Sequence, residues 1–200
     1  MSEISSAKRL YLASGNGGKL REYRALAETG EYELELLPGF SGLAEFAEDA
    51  PTFAENATGK ALYYSRTSEG LVFADDSGLV VPALGGAPGV LSARYAGTGA
   101  SDAQKIGKLL GELSGKTGAE RNAYFVCVIA AAKQGRAVAI VSGKSEGSIA
   151  EAAMGSGGFG YDPIFYCREL GKSFAELTAE QKNLLSHRGR AFRRLMEVLR

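Results

Sequence analysis

The chain has 200 residues, 45% of them hydrophobic and 23% charged, the composition of an ordinary globular protein. Its 23 Lys and Arg balance 23 Asp and Glu, which argues against long nucleic acid as a partner, because that ligand rewards a basic surface. No run approaches the ~20 apolar residues of a membrane-crossing helix, and the opening MSEISSAKRL lacks the apolar core of a secretion signal.

Leu10 to Ala13 is an apolar run that ends in Ser14-Gly15-Asn16-Gly17-Gly18, the pattern of a buried strand entering a glycine loop. Helix formers follow from Lys19 to Glu28, with Leu20, Tyr23, Leu26 and Ala27 on one face at amphipathic spacing. Tyr32 to Leu37 alternates as a strand, and Pro38 to Pro51 is a loop with an acidic stretch from Glu45 to Asp49. Thr52 and Glu55 form a capping box ahead of a helix predicted over about Phe53 to Arg66. Leu71 to Ala74 is another buried strand; it ends at Asp75-Asp76-Ser77-Gly78, and Leu79 to Val81 resumes it. Leu84 to Gly89 is a Gly-Pro loop, and a helix capped by Ser101 or Asp102 runs to Leu113.

Asn122 to Ala132 is mostly apolar and reads as a central strand covered on both faces. Arg136 to Ser142 is its hairpin partner, which Lys144 to Ala150 continues. Met154 to Asp162 is a glycine loop, and helices over Ala179 to Leu185 and His187 to Leu199 close the chain. This order predicts a mixed α/β fold with an antiparallel hairpin in the second half. Cys127 and Cys167 are too few for a disulfide framework and are expected reduced. The sequon Asn56-Ala57-Thr58 is read as chance.

Several stretches have the makings of chemistry. In Ser14 to Lys19, glycines after a strand turn backbone N–H groups toward an anion, and the helix N-terminus adds positive potential. A tight turn with a solvated lysine has the same sequence. It is no Walker A loop, because Leu20 stands after Lys19 where Ser or Thr is required. Asp75 and Asp76 sit at the C-terminal end of a buried strand, where α/β ligands bind. They suit Mg²⁺ binding and proton removal from water, although Asp-Ser-Gly also makes a solvated turn. Glu45, Glu48, Asp49 and Glu55 offer a second carboxylate or a solvated acidic face.

Gly155 to Gly160 contains a literal GxGxxG, but Pro163, Phe165 and Tyr166 follow it where a dinucleotide site needs a helix. Exposed Phe159 and Tyr161 among glycines suit stacking on a base, with Asp162 hydrogen-bonding to it; a packed structural loop is the alternative. Ser186-His187-Arg188-Gly189 gathers donors at a helix start that match a purine carbonyl oxygen, with Lys182 for a phosphate. The other reading is an exposed helix cap. Arg94, in Ser92-Ala93-Arg94-Tyr95, is a surface arginine or a ligand contact.

The set and order of these blocks decide more than any one of them. Ser14-Gly15-Asn16 with Lys19 and Glu22 precedes Thr52-Phe53-Ala54-Glu55-Asn56-Ala57 with Lys60. Ala74 to Leu79, Gly85 to Gly89, Ser92 to Tyr95, Gly157 to Phe165 and Ser186 to Gly189 follow. From about residue 10 to 199 this resembles the inosine triphosphate pyrophosphatase family.

The resemblance implies one α/β domain over residues 1–200: a long curved mixed β-sheet with two α/β lobes flanking a central active-site cleft. It implies a cytoplasmic homodimer that converts ITP, dITP or XTP and water to the monophosphate and pyrophosphate with Mg²⁺. By motif, Ser14, Gly15, Asn16, Gly17, Gly18 and Lys19 are the triphosphate loop. Asp76 is the proton acceptor and a metal ligand, and Glu48 is the other metal ligand, in Glu48-Asp49-Ala50 where the family often has Glu-Thr-Gly. Ser77, Phe159, Gly160, Tyr161, Asp162 and Lys182 contact substrate, and Ser186, His187 and Arg188 read the base. Neither nucleic acid polymer nor membrane is an expected partner. Three rival readings carry distinct expectations: a P-loop-type ATPase or kinase giving ADP, a Maf-like pyrophosphatase preferring pyrimidines, and a nucleotide-binding protein without turnover.

Overall fold

The computed structural model describes residues 8–28 and 31–200; the secretion-signal reading falls largely on residues 1–7, outside them. β1 (Lys8–Leu12) lies between two parallel neighbours, β2 (Tyr32–Leu36) and β3 (Leu71–Val80). Helix α1 (Gly17–Ala27) links β1 to β2, and α2 (Phe53–Tyr64) precedes β3. The full sheet has seven strands in the order β2-β1-β3-β4-β5-β6-β7. Here β4 is Asn122–Lys133, β5 Arg136–Ile149, β6 Phe165–Cys167 and β7 Lys172–Ser173. β5, β6 and β7 pair antiparallel, so the expected mixed α/β sheet is present. α3 (Asp102–Glu112), α4 (Ala179–Leu185) and α5 (His187–Val198) complete the α-helices among the described residues.

The chain divides into two compact units. The first holds residues up to Asp76, Val128–Val141 and Ala191–Arg200; the second holds Ser77–Cys127 and Ser142–Arg190. Each has a core of its own. In the first, Ala57, Ala61 and Tyr64 of α2 pack on Val72 and Ala74 of β3 and on Val128, Ala130 and Ala132 of β4. Phe73 lies among the rings of Tyr23 and Phe192, as period-two alternation along a strand demands. In the second, Leu109 and Leu113 join Phe125, Phe165 and Phe174. Arg121 ties this unit's chain together, its guanidinium donating to the carbonyls of Leu113, Lys116, Ile149 and Ala150.

Several local expectations are corrected. β3 does not stop at Ala74 but runs unbroken through Asp75, Asp76, Ser77 and Gly78. The expected continuation of β5 is present as a single strand of 14 residues, joined to β4 through Gln134 and Gly135, both at positive φ, which matches the right-handed twist of a two-residue hairpin. α1 begins two residues early, at Gly17, because the Asn16 side chain caps it by accepting from Lys19 N at 3.1 Å. α2 ends at Tyr64, with Ser65–Thr67 in a tighter turn, and the short β6 and β7 carried too few residues to show a period. Thr52 and Ser101 cap α2 and α3 as expected. Both cysteines are buried and neither forms a disulfide. Asn56 is 1% exposed, closed to glycosylation in the folded chain. Among the described residues no helix is long and apolar enough to cross a membrane.

Candidate active site

In the first unit, β3 brings Asp75 and Asp76 into the interior, a placement that needs partners for the charge. Lys19, three residues into α1, reaches Asp75 with Nζ 3.0 Å from Oδ2. Its Nζ also lies 3.4 Å from the Asp75 carbonyl oxygen. Asp76 Oδ2 accepts a hydrogen bond from Asn56 Nδ2 at 2.9 Å. Burial works against the Asp76 charge and pushes its carboxyl up to about 6. The Asn56 amide, Lys19 and Lys60 pull the other way, while the charge of Glu48 adds to the rise.

Helix spacing explains the rest of the cluster. Asn56, Lys60 and Tyr64 recur every four residues, one stripe of α2. Lys60 Nζ donates to Glu48 Oε1 at 2.5 Å. Burial opposes its ammonium charge, but Asp75, Glu48 and Asp76 together outweigh that and hold the group above the ordinary lysine value. Three carboxylates and two ammonium groups therefore share one region. Ser14 is buried and its Oγ accepts from Asn16 N at 3.2 Å, while Gly15 and Asn16 are exposed ahead of α1. Among the described residues, no three His, Cys, Asp or Glu side chains form a metal-binding set.

In the second unit, the glycine loop closes around Asp162. Its Oδ2 accepts from Phe159 N at 2.8 Å and from Lys182 Nζ at 2.5 Å. Gly158, at φ 71°, passes so close to this carboxylate that a Cβ there would strike it. Gly160 N donates to Asp102 Oδ2 at 2.6 Å, which ties the loop to the start of α3. The Phe159 ring has Lys182 Nζ 5.1 Å and the Arg188 guanidinium 5.4 Å from its centroid, within cation–π range. Arg188 also donates through Nη2 to Ser77 Oγ at 2.9 Å. Ser186, His187 and Arg188 are all buried, not an exposed cap. Ser186 Oγ accepts from Gly189 N at 3.1 Å, and the His187 ring stacks flat on Phe125 at 4.6 Å.

A profile of the Ham1 family matches residues 10–198. The chain belongs to the Ham1 family. It is 50% identical to the dITP/XTP pyrophosphatase of Geobacillus kaustophilus, over 95% of this chain and 93% of that one. To the dITP/XTP pyrophosphatase of Desulforamulus reducens it is 45% identical, over 96% and 95%. The solved HAM1 protein of Coxiella burnetii superposes with a TM-score of 0.85 at 40% identity, covering 96% of this chain and 98% of that one. The Staphylococcus aureus Ham1 protein gives 0.84 at 39% over the same shares. The family resemblance read from ordered sequence blocks is thereby upheld.

In this Ham1 chain the sequence-predicted residues form two sets. Ser14, Lys19, Glu48 and Asp76 lie in the first unit; Ser77, Phe159, Gly160, Tyr161, Asp162, Lys182, Ser186, His187 and Arg188 lie in the second. Gly17 and Gly18, expected in a loop, are the first turn of α1. Tyr161, read as an exposed stacking group or part of a packed loop, is buried in the second core with its hydroxyl donating to Ser92 O at 3.0 Å. Burial raises its phenol pKa well above the usual range. Asp162 faces Lys182 and the loop backbone. Arg94 is exposed at the end of a short 3₁₀ stretch. Sequence reasoning assigned no role to Asn56 or Lys60, yet both face the acids; their four-residue spacing on a helix ahead of an acidic strand was the available signal.

Proposed function

We propose that the protein hydrolyses ITP, dITP and XTP to the nucleoside monophosphate and pyrophosphate, removing deaminated purines from the nucleotide pool. Two curated relatives at 45–50% identity over nearly their whole length carry the dITP/XTP pyrophosphatase name. The observation that carries the reading is the buried Asp76 carboxylate, held by Asn56 and flanked by Lys19, Lys60 and Glu48.

The reaction is a displacement at phosphorus by water. Asp76 orients the water and takes its proton, and its raised pKa suits a base that works near neutral pH. Lys19 and Lys60 offset the negative charge of the triphosphate, beside the N–H groups that open α1. The donor set fits Mg²⁺: hard oxygens from Asp76 and Glu48, in a region where carboxylates outnumber ammonium groups. Magnesium takes one or two carboxylates and fills the rest with water and phosphate oxygens, so a three-ligand protein set is not required. Asp76 and Glu48 would hold the ion, which when bound stabilises charge on the phosphates and lowers the pKa of water.

Arg188 and Ser77 supply donors for the 6-oxo group of inosine and xanthine, against Phe159. The 6-amino group of adenine sets donor against donor, a mismatch that discriminates by orders of magnitude. Lys182, seated against Asp162, keeps the loop that presents Phe159 in place. We take residues 1–200 to act as one pyrophosphatase domain, a cytoplasmic homodimer. Half-exposed Val138 and Ile140 on one face of β5 are in keeping with a second copy, which light scattering would detect.

The decisive test is product analysis from ITP, XTP, GTP, ATP and dTTP, with and without Mg²⁺. Pyrophosphate with IMP or XMP, dependent on Mg²⁺, is the expected result. Orthophosphate with a diphosphate points to a P-loop-type enzyme, preference for dTTP to a Maf-like one, and absence of turnover to a binding protein.

A further inference from the structure

The loop of residues 43–51 carries Glu48, and α2 grips it at four points, one of them the Lys60–Glu48 ion pair. Tyr64 Oη accepts from Phe46 N at 3.1 Å and donates to Ala44 O at 3.2 Å. The Phe46 ring lies directly over Gly59, so close that a Cβ at residue 59 would meet its edge. Asn56 takes the far end: its Oδ1 accepts from Ala50 N at 3.0 Å, and its Nδ2 lies 3.3 Å from Ala50 O. The same Nδ2 donates to Asp76 Oδ2 at 2.9 Å. One buried primary amide thus spends both of its N–H bonds and a carbonyl lone pair on two separate chain segments, nearly its whole capacity.

We propose that Asn56 is a positioning residue for the reaction: its side-chain amide locks the Glu48 loop and the Asp76 carboxylate into one fixed arrangement. It acts on the reaction through Asp76 and the Glu48 loop. It acts by setting which way the Asp76 carboxylate points while pinning Ala50, two residues from Glu48. A positioning error of about 1 Å costs roughly a hundredfold in rate, and the partners that orient a metal-binding carboxylate cost about 10–100-fold when lost. Tyr64 grips the same loop through Phe46 N and Ala44 O, so it separates holding the loop from orienting the acid. This inference rests on the pyrophosphatase reading for its kinetic arm only.

The test compares Asn56→Ala, the isosteric Asn56→Asp and Tyr64→Phe with the native protein. For ITP hydrolysis, both Asn56 variants are expected to lose about a hundredfold in kcat with KM changed less than threefold. Their half-saturating Mg²⁺ concentration should rise about tenfold. Tyr64→Phe should keep kcat within about fivefold. In metal-free protein without nucleotide, amide hydrogen exchange over residues 46–50 should quicken at least tenfold in Asn56→Ala. Equal kcat losses in Asn56→Ala and Tyr64→Phe would overturn the proposal by reducing Asn56 to a loop holder. Native-like kcat in Asn56→Ala, unchanged exchange, or loss of the folded state in both Asn56 variants would overturn it too. If the native protein fails to turn over ITP, the pyrophosphatase reading falls, and the exchange measurement still decides whether Asn56 binds the loop.

Discussion

The two units bury charge in opposite ways. In the second, Lys182 and Asp162 are both almost fully enclosed and meet at 2.5 Å, one ammonium to one carboxylate. Arg188, also buried, adds a further positive group beside Phe159. In the first, Glu48, Asp75 and Asp76 lie with Lys19 and Lys60, and burial raises the Asp76 carboxyl to about 6. A matched pair frames a loop. An excess of buried carboxylate favours a cation, and an excess of buried guanidinium favours a carbonyl or phosphate oxygen. The difference teaches that the sign of the surplus in each region, more than the number of charges, indicates what it recruits.

The strongest way to break this comparison is Asp76→Asn. It should lower kcat for ITP by about a thousandfold with little change in KM, within the range for loss of a general base. A near-native rate, read from pyrophosphate release, would remove Asp76 from the role of base. Next in size is Asp162→Ala. Leaving the Lys182 ammonium buried beside a vacant position should cost on the order of 3 kcal/mol in denaturant unfolding. A cost within 0.5 kcal/mol, roughly that of a surface substitution, would show that the pair frames nothing.

Arg188→Ala sharpens the other side. It should reduce the preference for ITP over ATP by about 10–100-fold, since a donor to the base is worth roughly 1–3 kcal/mol. The kcat/KM ratio for the two nucleotides checks this, and an unchanged ratio would take base reading away from Arg188.

The smallest effect concerns pH and stability. The folded-state pKa of Asp76 lies above its ordinary value of 3.8, so the fold binds the proton more tightly than the unfolded chain does. Stability from this group is therefore full below the unfolded value and is lost as pH rises through about 6. Asp76→Asn removes that penalty, so in chelator it should be more stable than the native protein at pH 7.5 by about 1–2 kcal/mol. The gap should close near pH 4. Equal melting temperatures across the whole range would show that Asn56 and the lysines cancel the burial cost completely.

Much of this was legible along the chain. The apolar run at Leu10–Ala13, the capping box at Thr52 and Glu55, and the alternation of β5 are local signals, and each marks an element that the fold contains. The ordered motifs likewise led to the Ham1 family. Asp75 and Asp76 show where such reading stops. Two acids and Ser-Gly have the local chemistry of a turn, so the strand was expected to end before them. Inside the fold they continue it, because Lys19, Asn56 and Lys60 arrive from α1 and α2 to meet their charge.

Along the chain Tyr161 stands open between an exposed stacking group and a packed loop, and its packing with Ile164 and Phe165 and its bond to Ser92, 69 residues away, bury it. Most of the longer elements, the family and the residue types available for chemistry were readable along the chain, since periodicity and caps act within one or two turns. Tertiary structure alone decided which charges are buried and which partners they meet. The free energy of a buried ion depends on groups that are close in space and distant in sequence.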